Sequence, residues 1–122
     1  AAAVPPLRHR PCRPHRPMSP DTSPVVLTLV MPAEVEDALI DTLLEHPELA
    51  PGFTTDAVEG HGERIRFVGT AEEVRGRAAY CRVQHVTTRD ATEALLAILR
   101  KRFAGSRVYF WITPALAFGR LE

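Results

Sequence analysis

EGHGERIRFVGTAEEVRGR, residues 59–77, is the stretch on which the organisation of this chain depends. It is rich in charge and glycine, and it lies between two strand-like runs. The segments before and after it resemble each other, because each combines strand-like runs with one helix-like run. A body of two similar halves with a long charged connection between them predicts that this connection faces a ligand or a partner.

The two halves predict the fold. Short apolar runs rich in β-branched residues predict strands, and apolar residues at helical spacing predict helices. The predicted order is strand 25–30, helix 33–45, strand 53–58, strand 79–86, helix 90–103 and strand 107–112. Pro32 suits the first turn of the first helix, His46-Pro47 ends it, and Asp90 with Glu93 has the spacing of a capping box at the second. Residues 65–68 are predicted to extend a β-ribbon from the body.

Two strand-helix-strand units in series predict an α+β fold of the ferredoxin-like βαββαβ type. Its four-stranded antiparallel sheet carries both helices on one face. We expect the other face, if apolar, to be buried by association with further copies of the chain. The apolar segment 114–121 is expected to pack against a neighbouring subunit.

The first residues have a different composition from the rest. Residues 1–17 hold five prolines and four arginines but no acid, so little of this segment can be buried. We therefore expect a disordered Pro/Arg-rich tail over residues 1–24 and a folded domain over residues 25–122. Residues 1–17 are candidates for non-native sequence, with Met18 as the biological start.

Composition and charge restrict the function. The formal net charge is zero, and the chain after residue 17 holds all fifteen carboxylates and eleven of the fifteen basic side chains. No basic face stands out, so nucleic acid is not an expected partner. No apolar run approaches the ~20 residues of a membrane span, and a secretory signal is not expected. Cys12 and Cys81 form no C-x-x-C pair, and we expect a cytoplasmic protein without direct membrane insertion.

The sequence contains no motif that supports enzyme chemistry. The chain has no H-E-x-x-H motif, no Walker loop and no supported Ser-His-Asp set. Its carboxylates lie mostly on predicted solvated helix faces. The expectation is a protein that is not an enzyme.

The stretch 59–77 supplies most candidate binding residues. His61 lies between Gly60 and Gly62, which would let the backbone bring an imidazole close to a ligand or a metal ion. The alternative is a solvated turn histidine. Arg75 and Arg77 flank Gly76 and could clamp a carboxylate or phosphate, or could instead pair with Glu72 and Glu73.

A second pair invites a soft-metal interpretation. Cys81 and His85 share a face of the third strand, but at ~3.3 Å per residue they are roughly 13 Å apart. That separation is too large for one ion. We expect a buried thiol and a hydrogen-bonded imidazole, so a metal site would need His61 or another subunit.

The order and spacing of several short segments resemble PII-like signalling proteins. These segments are 26–30, 45–47, 52–54, 60–62, 73–77, 103–105, 109–111 and 119–121. The similarity is greatest to an uncharacterised branch found beside heavy-metal efflux pumps of the resistance-nodulation-division type. More distantly, the chain resembles the CutA-type trimers, which are linked to divalent metals.

The resemblance implies a homotrimer with ligand sites in the clefts between subunits, beneath a mobile loop at residues 60–78. In well-studied PII proteins that site binds adenine nucleotides and the loop engages transporters or enzymes. Their phosphate-holding turn is rich in glycine and lysine, whereas here it is 104–107, with Arg107 as its sole cation. An adenine nucleotide is therefore a less expected ligand than a divalent or soft metal ion.

The resulting hypothesis is a regulatory protein that senses a small ligand or metal ion and signals through loop 60–78 to a heavy-metal efflux transporter or its regulator. The candidate ligand-binding residues are Gly60, His61, Gly62, Arg75, Gly76, Arg77 and Arg107, with His61 as the candidate metal ligand. One alternative is a CutA-like buffer or chaperone that binds metal directly. Another is a structural trimer that binds only protein.

Overall fold

The computed structural model describes residues 21–62 and 78–122, of which Ala78 is described by its backbone alone. The strands are β1 (Pro24–Pro32), β2 (Thr54–Gly60), β3 (Ala78–Thr88) and β4 (Tyr109–Pro114), and the α-helices are α1 (Glu36–Leu44) and α2 (Arg89–Phe103). A 3-10 turn over Ala33–Val35 leads from β1 into α1. The predicted strand and helix order is thus confirmed. The predicted ribbon at 65–68 lies outside the described residues.

The four strands form one sheet in the order β2-β3-β1-β4, and each neighbouring pair is antiparallel. The register aligns Asp56, Arg82, Val30 and Tyr109 in one row across the sheet. β1 and β3 are therefore central, while β2 and β4 form the two edges. This is the predicted ferredoxin-like arrangement.

The hydrophobic core lies between the sheet and the helices. In β1, Leu27, Leu29 and Met31 face the helices and are almost fully buried, while Thr28 is buried on the other face of the sheet. The rest of this buried cluster comes from the helices, from β3 and from the segment after α1: Leu39, Leu43, Ala50, Cys81, Val83, Leu95, Leu96 and Leu99.

The open face of the sheet has an apolar half and a polar half. On the β4 side lie Tyr109 and Trp111, which are 37% and 48% exposed. On the β2 side, Arg82 forms a two-pronged ion pair with Asp56, with Nη2–Oδ2 at 2.6 Å and Nε–Oδ1 at 3.1 Å. The face expected from the sequence to be apolar is therefore apolar only in part.

Residues 21–24 belong to the predicted tail, but in the structure they contact the start of α2. The backbone N–H of Asp21 donates to the Asp90 carboxylate at 2.7 Å, and the N–H of Asp90 donates to the carbonyl of Asp21 at 3.1 Å. The spacing of Asp90 to Glu93 predicted that Asp90 is the N-cap of α2. This prediction is wrong. Thr88 is the N-cap, and its hydroxyl accepts from the N–H of Ala91 at 3.1 Å.

The two helices are also joined directly. One guanidinium nitrogen of Arg102 lies 3.0 Å from the Thr42 hydroxyl and 3.0 Å from the Glu45 carboxylate. This bridge joins the last turn of α2 to the end of α1, which stops just before His46-Pro47 as predicted. Among the helices of residues 21–62 and 78–122, none has the length and apolarity needed to cross a membrane.

Candidate functional site

A cleft with a volume of about 980 Å³ lies along the β2 edge of the sheet. The entry to α1, the edge strand β2 and the start of β3 border it. The lining residues are Ala33, Glu36, Thr55, Asp56, Ala57, Val58, Glu59, His61, Ala79, Tyr80 and Cys81. One predicted site residue, His61, is among them.

The local sequence explains why the cleft opens at this place. Among the residues that the structure describes, β2 pairs only with β3, and most of its own residues are exposed. Pro32 ends the pairing of β1 with β3, and the 3-10 turn that follows brings Glu36 to the cleft at the start of α1. The described walls of the cleft are thus an edge strand and the N-terminus of a helix.

Gly60, His61 and Gly62 lie where the described part of β2 ends. Gly60 still pairs with Ala78 across the sheet, and His61 and Gly62 follow it, both exposed. Gly62 has a φ of 111°, a conformation that side chains rarely adopt. The glycine therefore fits the backbone that leaves the sheet after His61.

Cys81 and Glu36 interact at the inner wall of the cleft. Burial raises the pKa of the Cys81 thiol to about 11, and its hydrogen bond to the Glu36 carboxylate adds to the shift. The thiol therefore stays protonated at neutral pH and is a poor nucleophile or metal ligand in this state. The predicted buried thiol at position 81 is confirmed.

His85 lies on the same face of β3, inside the core. Its Nε2 is 3.3 Å from the carbonyl oxygen of Leu49, and the residue is only 5% exposed. Burial lowers the pKa of this imidazole below its ordinary value of 6.5. The predicted hydrogen-bonded imidazole is confirmed, and His85 does not line the cleft.

Arg107 is separated from the cleft within one chain. It precedes β4, whose first residues lie at the same end of the sheet as Gly60 but on the opposite edge. Three strand spacings of roughly 4.8 Å place these edges about 14 Å apart. Arg107 also has a φ of 63°, which is uncommon for a residue other than glycine. The candidates Arg75, Gly76 and Arg77 lie outside the described residues.

The charged side chains that line the described cleft are acidic. Glu36, Asp56 and Glu59 supply carboxylates, of which Asp56 is paired with Arg82. Within residues 21–62 and 78–122, no three His, Cys, Asp or Glu side chains group closely enough to hold a metal ion. The described residues therefore do not form a metal site by themselves, and a metal ion at His61 would need further ligands from elsewhere.

Sequence reasoning missed Glu36, Tyr80 and the position of Cys81 in this cleft. Glu36 looked like one more acid on a solvated helix face. The β2–β3 register, which aligns Ala57 with Cys81 and Val58 with Tyr80, brings these residues to the cleft. Because Ala57 and Cys81 are paired across the two strands, their side chains lie on the same face of the sheet. Neither strand alone shows which residue of the other strand it pairs with.

Comparison with solved structures defines the fold class as that of PII-like and CutA proteins. A PII-like nitrogen regulatory protein from Thiomonas intermedia K12, bound to ADP, AMP and bicarbonate, superimposes with a TM-score of 0.60 at 13% identity, covering 82% of this chain and 99% of that chain. CutA from Synechococcus elongatus PCC7942, complexed with a Bis-Tris molecule, gives 0.60 at 14% identity, covering 83% and 88%.

A family assignment follows from residues 21–122, which match the family described as "Protein of unknown function (DUF3240)". The chain belongs to this DUF3240 family. A DUF3240 family protein from Shewanella baltica OS155 superimposes with a TM-score of 0.65 at 22% identity, covering 82% of this chain and 98% of that chain. A comparison with curated proteins finds none that matches.

Proposed function

We propose that this protein is a non-enzymatic, cytoplasmic regulator of the PII-like type, which binds a small ligand or metal ion beside residues 60–78 and signals through that segment. The observation that carries the proposal is the cleft of about 980 Å³ at the β2 edge, with His61 at its border. The segment that begins at His61 thus starts at the border of this cleft. The PII-like fold supports a regulatory role, and the proposed partner is a heavy-metal efflux transporter or its regulator.

A homotrimer completes this proposal. Gly60–Gly62 and Arg107 lie at the same end of the sheet on opposite edges, so they do not meet within one subunit. In a closed ring, the β2 edge of one subunit would face the β4 edge of the next. Such an arrangement would bring both groups of candidate residues into one cleft between subunits.

The chemistry of the described residues favours a cation over a polyphosphate. Three carboxylates border the cleft, and the turn before β4 offers one cation, Arg107. A triphosphate at this place would face the described carboxylates, which repel it. ADP and AMP, which are bound to the Thiomonas intermedia protein, are therefore included in the test below.

A second candidate function is direct metal buffering of the CutA type. The observation that favours it is that His61 and Cys81, two soft-metal donors, border the same cleft with Glu36. Binding through Cys81 would require loss of a proton from a thiol whose pKa is about 11, which a soft metal ion can drive. In this function the bound metal is the cargo and no loop signal is required.

The test is a thermal-shift panel on the full chain with ADP, AMP, ATP, bicarbonate, and Zn²⁺, Cu²⁺, Ni²⁺, Co²⁺ and Ag⁺ salts. A ligand present at 100 times its Kd stabilises the folded state by about 2.7 kcal/mol, which such a scan detects. We expect a shift with at least one metal ion and its loss in His61→Ala. His46→Ala is the matched control, because His46 lies beyond the end of α1 and does not line the cleft.

The outcomes separate the candidates. A metal shift lost in His61→Ala but kept in Cys81→Ser supports a sensor centred on His61, whereas loss in both variants supports the buffer. A shift with nucleotide alone that survives His61→Ala would contradict the proposed preference for a cation. No shift with any of these ligands would leave protein as the only partner and would overturn the ligand-sensing proposal.

A further inference from the structure

The connection between α1 and β2, residues 45–53, is attached to the core without belonging to a helix or strand. The N–H groups of Leu49 and Ala50 both donate to the carbonyl of His46 at 2.9 Å, which closes a turn. Ala50 is buried in the hydrophobic core, and Leu49 packs against that core. The connection continues directly into β2, which lines the cleft of His61. Its attachment therefore affects the strand that borders this cleft.

A polar contact joins this connection to the sheet. The Nε2 atom of His85 on β3 lies 3.3 Å from the carbonyl oxygen of Leu49. Because a carbonyl oxygen only accepts, Nε2 carries the ring proton of the neutral imidazole. The other ring nitrogen, Nδ1, is buried and has no hydrogen-bond partner. The site therefore accommodates one ring proton and offers no acceptor among the described residues for a second.

The elements around His85 bring apolar side chains or charges that are already engaged. Val25, Leu27 and Leu29 of β1 lie on the same face of the sheet. The engaged groups are Glu48 with His46, Glu93 with Arg89, Glu45 with Arg102, Cys81 with Glu36, and Asp90 with the backbone of Asp21. The remaining charged side chains of the two helices are exposed: Asp37, Asp41, Arg100 and Lys101. A second ring proton is thus accommodated by exposing the ring to water, which removes the burial that lowers the pKa of His85.

We propose that His85 is a pH switch, and that mild acid detaches residues 45–53 from β3 while the rest of the fold stays closed. When Leu49 moves away, the imidazole gains water and can bind its second proton there. The connection is the part most able to separate, because it is short and irregular, whereas β1 and α2 are held by complete sets of backbone hydrogen bonds. The start of β2 would then respond to pH, whichever ligand the cleft binds.

Native-state amide exchange of the full chain, followed by NMR at pH 7.5 and pH 5.0, tests this switch. The amides of Leu49 and Ala50 report on the turn, and those of Leu29 and Leu95 report on global unfolding. At pH 7.5 we expect the first pair to have smaller protection factors than the second. We also expect low concentrations of urea to leave the first pair unchanged, because local opening exposes little surface.

The effect of pH has a defined sign and limit. The detached form binds a proton near pH 6.5, the ordinary value, whereas the closed form binds it only at lower pH. Acid therefore favours the detached form, and the opening constant can rise by at most about 30-fold between pH 7.5 and pH 5.0. We expect the protection factors of Leu49 and Ala50 to fall by about 10-fold to 30-fold. If Leu49, Ala50 and Leu95 share one protection factor and one urea dependence, the connection opens only with the whole chain and the proposal is wrong.

Two variants compare the two histidines that contact this connection. His85→Gln should abolish the pH dependence at Leu49 and Ala50. His46→Gln, which removes the imidazole paired with Glu48 at 3.6 Å, should retain it. Loss of the pH dependence in His46→Gln alone would assign the response to the exposed pair and would overturn the proposal.

The wild-type chain supplies a second test that needs no substitution. The imidazole resonances of His85 and the amide resonance of Leu49 should titrate with one common midpoint below pH 6.5. A Leu49 amide that follows the midpoint of His46 instead, or that does not titrate at all, would contradict the switch even where His85→Gln fails to fold.

Discussion

His85 illustrates how a single buried residue links the fold to pH. Its imidazole is enclosed in the core, one ring nitrogen lies near the Leu49 carbonyl, and Nδ1 has no hydrogen-bond partner. Protonation would add a charge and a second donor in a place that can satisfy neither. The neutral form is therefore the one compatible with the fold, and the lowered pKa expresses this cost.

The stability of the protein should consequently fall in mild acid. The unfolded chain binds a proton at His85 near pH 6.5, whereas the folded chain binds it only at lower pH. The contribution of His85 is complete above pH 6.5 and is lost as the pH falls below that value towards the folded pKa. Urea unfolding at pH 7.5 and pH 5.0 measures the change.

Two variants identify the residue responsible. His85→Gln keeps an amide donor near Leu49 without titrating, and it should flatten the stability profile between pH 7.5 and 5.0. His46→Gln, which changes a less buried histidine at the end of α1, should retain the wild-type slope. An unchanged slope in His85→Gln would show that another group controls the acid response.

At the scale of elements, the start of α2 connects three parts of the chain. The Thr88 hydroxyl caps the helix, the Asp90 carboxylate receives the backbone of Asp21, and the N–H of Arg89 donates to the Ser23 carbonyl at 2.9 Å. The side chain of Asp21 in turn accepts from Ser23, which lowers the pKa of the Asp21 carboxyl. The helix N-terminus therefore fixes the segment that leads into β1.

Removing the cap tests this connection. Thr88→Ala should reduce stability by about 1 kcal/mol, because one N-terminal N–H of the helix loses its acceptor. For a domain of this size the melting temperature should fall by roughly 4–8 °C. Thr88→Ser is the matched control, since its hydroxyl can accept the same bond, and calorimetry should show it close to wild type. Equal melting temperatures for the alanine and serine variants would contradict the assigned cap.

At the scale of the whole molecule, the two halves of the open sheet face differ in polarity. The β2 half is satisfied within the subunit by the Arg82–Asp56 ion pair and by the bond from Gln84 to the Thr28 hydroxyl at 3.3 Å. The β4 half presents the aromatic rings of Tyr109 and Trp111, which are 37% and 48% exposed. Burial of aromatic surface is the main source of association energy, so the β4 half is the expected contact in a trimer.

Trp111 is the sole tryptophan of the chain and therefore reports on this contact. In the proposed trimer its fluorescence should be blue-shifted and protected from acrylamide, although it is 48% exposed in the single subunit. Trp111→Glu should shift the mass measured by light scattering from trimer to monomer. Leu44→Glu, at an exposed apolar position on α1, should leave the mass unchanged. A monomeric wild-type chain in this measurement would refute the trimer.

The order of strands and helices could be predicted from the sequence alone. Apolar patterning is a local property, so the β-branched apolar run of β1 and the helical stripe of α2 could be recognised without knowing any partner. The separation of Cys81 from His85 was likewise fixed by strand geometry alone. His61 was identified as a candidate because two glycines flank it, and it lies at the border of the main cleft.

Which elements meet could be learned only from the folded arrangement of the chain. The β2–β3 register brought Cys81 to the cleft of His61, and the start of α1 added Glu36. The strand order placed Arg107 on the edge opposite Gly60, and the bond to Asp21 gave Asp90 a role other than capping. These facts depend on contacts between residues far apart in the chain. The free energy of such contacts arises from packing and pairing between elements, and no local pattern contains it.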